Sequence, residues 1–248
     1  MPCHGLNCTS EELIKAHIIP AGFGRFIRGV DANVKMTPER VGVATPQLGE
    51  YDSDMLCGPC DRFLGLDDEY ALSVCERFES DHRKLVQDVF ELPGVDCERF
   101  CKFILSVLWR ASISRRPSFT SIDLGPYEDR ARDALFGATP LSSLPAFEVI
   151  VQRYRSDHMD TTKWYFQPVR QPFGELNAYG FGLAGFRIVA KVDNRLFPEG
   201  YRPLILNRSG VFRGLYVKLE DCSEFQSMAM MVRNNAGRKN PFRRPTST

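Results

Sequence analysis

Apolar residues recur at intervals of three and four after Asp96: Phe100, Phe103, Ile104, Val107, Leu108 and Ala111 form one broad stripe. That period predicts a helix over residues 96–114 that buries a whole face. Upstream, Asp67 and Asp68 are placed to cap a helix running through Tyr70, Val74 and Phe78, because acidic residues suit a first turn. Residues 81–90 are expected to be a second helix, stopped before Pro93. Residues 127–136, ended by Gly137, are expected to form a further one. After Pro145 the pattern changes to β-branched and aromatic runs at 147–154, 162–169, 186–192 and 211–218, which predict strands. Gly180, Gly182 and Gly185 sit among aromatics and suggest a tight turn or bulge. Residues 223–234 close the pattern as a last helix.

Residues 1–66 follow neither period. Glycines at 22, 24, 29, 42, 49, 58 and 65 and prolines at 20, 38, 46 and 59 leave room only for short strands, such as 41–44. A region this rich in turn formers needs a metal to hold it together. The chain therefore divides into a zinc-knuckle region at 1–66, a helical region at 67–140 packed on it, and a mostly β region at 141–248 with a basic C-terminal tail. Residues 137–146 mark the main boundary. The fold class is α+β: an N-terminal metal knuckle, a helical middle and a C-terminal antiparallel sheet.

Composition narrows the picture only a little. The 248 residues are 43% hydrophobic and carry a formal net charge of +1, enough for a proper core and without a global signal for nucleic acid. Arg233, Arg238, Lys239, Arg243 and Arg244 make the C-terminus basic, which reads as a solvated end. The first 20 residues lack a basic start followed by an apolar run. The apolar stretch at 103–113 is interrupted by Arg110 and too short to cross a bilayer. A cytoplasmic protein without membrane contact is expected, and there eight cysteines do not read as a disulfide framework. Cys75, Cys97, Cys101 and Cys222 are scattered and are read as buried packing residues.

The other four are paired: Cys3 with Cys8, and Cys57 with Cys60 across Gly58-Pro59. A tight turn aims two thiolates at one ion, and a structural zinc takes four sulfur or nitrogen ligands in a tetrahedron. Cys3, Cys8, Cys57 and Cys60 are the expected ligands of a structural Zn2+, with His4 as a substitute should Cys3 be frayed.

Between the pairs lies Ala16-His17-Ile18-Ile19-Pro20, and the second pair reads Leu56-Cys57-Gly58-Pro59-Cys60-Asp61. This ordered set, over residues 1–66, resembles the His-Asn-His (HNH) endonucleases in their zinc-containing, treble-clef form. The helix around Phe103–Arg110 is similar to that of small bacterial or prophage proteins carrying the motif. The resemblance implies a metal-dependent endonuclease that hydrolyses nucleic-acid phosphodiester bonds, DNA being the expected substrate. It makes His17 the general base, a role that suits a side chain titrating near neutral pH. It makes Asp61 the ligand of a catalytic Mg2+ or Mn2+, for which carboxylate oxygens are suited.

Two features depart from the family pattern. The position before its histidine is usually acidic or histidine, and here it is Ala16; the segment from His17 to Cys57 is also longer than the compact motif. Asp31, Asn33, Asp52 or Asp54 could supply a replacement ligand, and nothing in the sequence selects one. Arg25 and Arg28 could touch phosphate. His82 and His158 stand alone and read as surface residues, while Arg110, Arg115 and Arg116 read as a basic helix end that complements the dipole. A catalytically inactive zinc-stabilised module that binds nucleic acid or protein in a phage or defence system is the alternative. A structural or regulatory protein is a third reading, and the C-terminal region is where a protein partner would dock.

Overall fold

The computed structural model describes residues 2–28, 35–37, 40–44, 50–85 and 88–235. In chain order the elements are β1 (Ala16–His17), α1 (Ala21–Arg28), β2 (Lys35–Thr37), β3 (Arg40–Ala44), β4 (Tyr51–Asp52), α2 (Gly58–Asp81), β5 (Arg83–Lys84), β6 (Val89–Leu92), α3 (Cys97–Ile113) and α4 (Glu128–Leu135). They continue with β7 (Phe147–Arg155), β8 (Phe166–Arg170), β9 (Ala178–Leu183), β10 (Phe186–Val192), α5 (Leu206–Ser209), β11 (Phe212–Lys218) and α6 (Ser223–Asn235). The fold is mixed α+β. A seven-stranded sheet has the order β5-β6-β11-β7-β10-β9-β8, and two small ribbons, β1–β4 and β2–β3, belong to the N-terminal region.

Helix α3 starts where its sequence says it should. The Asp96 carboxylate accepts from the Arg99 amide at 3.1 Å, which satisfies one of the free N–H groups of the first turn. Its stripe is buried almost completely, with Ile104, Val107 and Leu108 at 0% exposure. α3 packs against α2, α4 and α5. At the sheet it meets a cluster of rings: Phe100 lies edge-on to Phe212 at 4.9 Å, and Phe78 of α2 edge-on to Phe186 at 5.0 Å. Burying each such ring contributes about 2–3 kcal/mol, so the cluster ties the helices to the sheet.

Several expectations change. Residues 81–90 are not a helix: α2 stops at Asp81, and β5 and β6 pair with each other while β6 also pairs with β11. The burial of 89–92 alternates, as a half-buried strand requires. α2 itself begins at Gly58 and runs unbroken past residue 66, so Asp67 and Asp68 lie inside it rather than at its cap. Gly180 and Gly182 are strand residues of β9. A Cβ at Gly182 would overlap the Phe166 ring, so glycine there lets an aromatic of β8 lie flat against the strand. Gly185 does make the predicted turn, with φ +83°, between β9 and β10. The sheet is antiparallel throughout except where β11 runs parallel to β7. Residues 162–165 precede β8 instead of opening it.

Cys75, Cys97, Cys101 and Cys222 are buried packing residues. His82 is not a plain surface residue: its ring stacks on Phe78 at 4.5 Å and its Nδ1 lies 2.8 Å from the Phe78 carbonyl. The tail from residue 236, including Arg238, Lys239, Arg243 and Arg244, lies outside the described residues. Among those described, no helix is long and apolar enough to cross a membrane.

Candidate metal centre and the histidine beside it

The four paired cysteines converge. The Sγ atoms of Cys3, Cys8, Cys57 and Cys60 all lie within 4.8 Å of one another, and Cys8 and Cys57 approach to 3.7 Å. Four sulfurs at zinc-bond length from one tetrahedral ion would be about 3.8 Å apart, so the cluster could hold a metal ion with little movement. His4 is not part of it.

Local structure explains the convergence. The first pair sits on a tight loop closed by the Cys8 amide donating to the Gly5 carbonyl at 3.1 Å, with Asn7 in the left-handed region at φ 54°. Asparagine tolerates that conformation better than most residues. The second pair opens α2, with Cys57 as N-cap and a proline in the first helical positions, where proline loses no hydrogen bond. Backbone bonds hold the two pieces together: the His4 amide to Met55 at 3.0 Å, and the Ile14 amide to Leu56 at 2.9 Å. The amides of Gly5 and Cys57 both point at Cys3 Sγ, at 3.4 and 3.3 Å, which favours a thiolate there.

Electrostatics fit a cation. Burial works to raise the Cys57 thiol, yet the Cys60 amide and the Cys3, Cys60 and Cys8 thiols outweigh it and bring the pKa down to about 7. Cys60 is pushed well up by burial and by neighbouring sulfurs, and Cys3 is raised mainly by burial. One thiolate forms readily, and further negative charge accumulates in that small volume only if a cation offsets it.

His17 lies on β1, its Cα paired with that of Tyr51 on β4. The segment is pinned on both sides. The Ile18 amide donates to Glu50 at 2.8 Å, and Arg110 Nη1 donates to the His17 carbonyl at 2.8 Å. Ile18, Ile19 and Pro20 are buried and lead into α1, whose Phe23 stacks on Phe103 at 4.9 Å. The His17 ring, half-buried, meets Tyr51 edge-on at 6.2 Å.

Asp61 occupies the first turn of α2, directly after Cys60. Burial raises its carboxyl above the ordinary value, and the charges of Arg110 and His17 act against that rise. His17, Asp61 and Arg110 thus interact electrostatically across the junction of β1, α2 and α3.

Arg110 is therefore not an exposed helix end. It is 1% exposed and bonded bidentately to Asp68, Nη1 to Oδ2 at 3.0 Å and Nη2 to Oδ1 at 2.8 Å. Burial pushes the Asp68 carboxyl up, and Arg110 holds it back. The clue was available: a guanidinium inside an otherwise apolar helical run needs a buried carboxylate.

The replacement ligands sort out by face. Cross-strand partners share a face, so Asp52 goes with buried Ala16 and not with His17. Its carboxylate accepts from the Asp54 amide at 3.0 Å, the Ser114 hydroxyl at 2.8 Å and the Arg115 amide at 3.0 Å, and is already committed. Asp54 is exposed, and Asp31 and Asn33 lie outside the described residues, as does the Arg28 side chain. Arg25 is exposed on α1. No family model, curated protein or solved structure matches this chain.

Proposed function

We propose that the chain is a metal-dependent endonuclease of the HNH type, acting on nucleic-acid phosphodiester bonds. The observation that carries this reading is the four-cysteine cluster, which fastens the loop of residues 3–8 to the start of α2, where Asp61 directly follows Cys60. In this reading the cluster holds a structural zinc in a treble-clef arrangement. His17, its backbone clamped by Arg110, takes the proton from the attacking water as general base. Asp61 would hold a magnesium or manganese ion, whose charge would stabilise phosphodiester oxygens.

The test is incubation of the purified chain with supercoiled plasmid and Mg2+ or Mn2+. Nicking is expected, and His17→Ala should reduce it by about 10²–10⁴-fold, the usual range for a general base, with the fold unchanged by circular dichroism. No nicking by wild type with either ion would overturn the reading.

One observation favours a second function, a zinc-stabilised binding module that does not hydrolyse. Ala16 has no ligand atom and the Asp52 carboxylate is committed to the Asp54 amide, the Ser114 hydroxyl and the Arg115 amide. Under that reading nucleic acid is bound in the same experiment and never cut.

A further inference from the structure

Tyr51 carries an unusual set of neighbours. Lys15 Nζ lies over its ring at 5.4 Å from the centroid and the Arg116 guanidinium at 5.2 Å, while the His17 ring meets its edge. These groups come from three separate parts of the chain: β1 and the residue before it, β4, and the segment that follows α3. Lys15 and Arg116 are exposed and Tyr51 is half-buried. Among the described residues neither cation makes a close ion pair, and the Arg116 charge acts at longer range on the Asp52 carboxylate.

The arrangement is built, not incidental. Asp52 accepts from the Ser114 hydroxyl and the Arg115 amide, which clamps the chain after α3 onto β4. The Arg116 amide then donates to Ser114 Oγ at 3.1 Å. Those bonds fix where Arg116 leaves the backbone, and the ring of the neighbouring Tyr51 receives its guanidinium. A cation resting on a ring face retains its charge and its outward donors. Two such cations beside His17 present a preset pair of phosphate contacts.

We propose that Lys15, Tyr51 and Arg116 form the surface that grips the phosphate backbone of a nucleic acid on the His17 side of the molecule. This deepens the proposed function and rests on it for the choice of polyanion. Lys15 and Arg116 each neutralise a phosphate and release counterions, and Tyr51 holds both side chains in place.

The experiment is fluorescence anisotropy of the full, metal-loaded chain with a labelled 30-mer duplex, without Mg2+ or Mn2+, over a range of salt concentrations, with plasmid nicking run in parallel. Wild type should bind with a salt-dependent affinity. Lys15→Ala and Arg116→Ala should each weaken binding several-fold and lower the log–log salt slope by about 0.9, the value of one duplex phosphate contact. Tyr51→Leu should weaken binding while Tyr51→Phe retains it. Lys84→Ala, on the exposed β5 edge, should match wild type. Binding that depends on this patch without nicking supports the surface and sinks the nuclease reading. Nicking by wild type with unchanged slopes in Lys15→Ala and Arg116→Ala sinks the surface and leaves the nuclease reading standing. No binding by wild type at low salt, or tight binding to phosphatidylserine vesicles in place of DNA, overturns the surface as well.

Discussion

Gly5 shows how closely single residues set the cysteine cluster. A Cβ there would overlap Cys60 Sγ and sit 3.2 Å from its Cβ. The close approach, not a left-handed backbone, demands glycine. Gly58, only a residue from Cys57, has nothing within 4 Å of the same atom. Gly5→Ala should therefore displace Cys60, lower the metal content measured by atomic emission, and destabilise the fold by about 1–3 kcal/mol, as overpacking does. Gly58→Ala should keep full metal content. Equal metal loading in both variants would mean that the loop gives way to a Cβ at position 5 and that the close approach does not set the cluster. None of this close fit could be read from composition. The cysteine spacing pointed to the four sulfurs that converge, but the role of Gly5 depends on the fold of a loop that follows neither helical nor strand period.

Elements meet at Arg110, which joins α3 to α2 through Asp68 and to β1 through the His17 carbonyl. Removing one partner of a fully buried ion pair leaves an uncompensated charge, which costs about 3–5 kcal/mol. Arg110→Met alone should lower the denaturation midpoint sharply, and Asp68→Leu alone likewise. The double variant should recover much of the loss, giving a large coupling in a double-mutant cycle. If nucleic-acid cleavage is established, the double variant should remain impaired in turnover, since the His17 carbonyl still lacks its donor. Additive losses in the two single variants would show that the pair is not a unit. At this scale the elements with a long clear period were legible: α3, α4, β7 and β10 lie within a residue or two of their expected places. The failures share a cause. β5 and β6 are too short to show a period and are strands because β11 supplies a partner for β6, which in turn pairs with β5. β9 contains two glycines that look like turn residues, and close side chains explain them: Gln171 lies against Gly180 and the Phe166 ring against Gly182.

Across the molecule, acid should act in two opposed ways. Burial alone would raise the carboxyl of Asp52, but the Asp54 amide, the Ser114 hydroxyl and the Arg115 amide hold it below its usual range. Glu224 is likewise lowered against burial, chiefly by the Tyr154 hydroxyl, with Arg187 beside it. Asp193 is held well below the ordinary carboxylate range, first by hydrogen bonds from the Arg195 side chain, then by the amides of Asn177 and Arg195. A depressed carboxyl contributes stability that is fully present above its unfolded pKa, near 4, and is lost as pH falls through the folded value. Asp61 is raised by burial and opposes this trend, since its protonation on mild acidification favours the folded state. Urea midpoints should thus hold steady or rise slightly from pH 7 toward pH 5 and then fall below about pH 4. Protonation of the cysteine cluster acts over part of the same range, so the sheet end needs its own readout. Asp193 serves, because it lies just past β10 and bonds the Asn177 amide at 3.0 Å, away from the cysteines. Asp193→Asn should lower stability at pH 7 and give a shallower acid limb, with hydrogen exchange at Asn177 losing its dependence on pH after correction for intrinsic rates. An acid limb as steep as that of wild type would remove Asp193 as a source of the pH response and leave Asp52, Glu224 and the cysteine cluster to account for it.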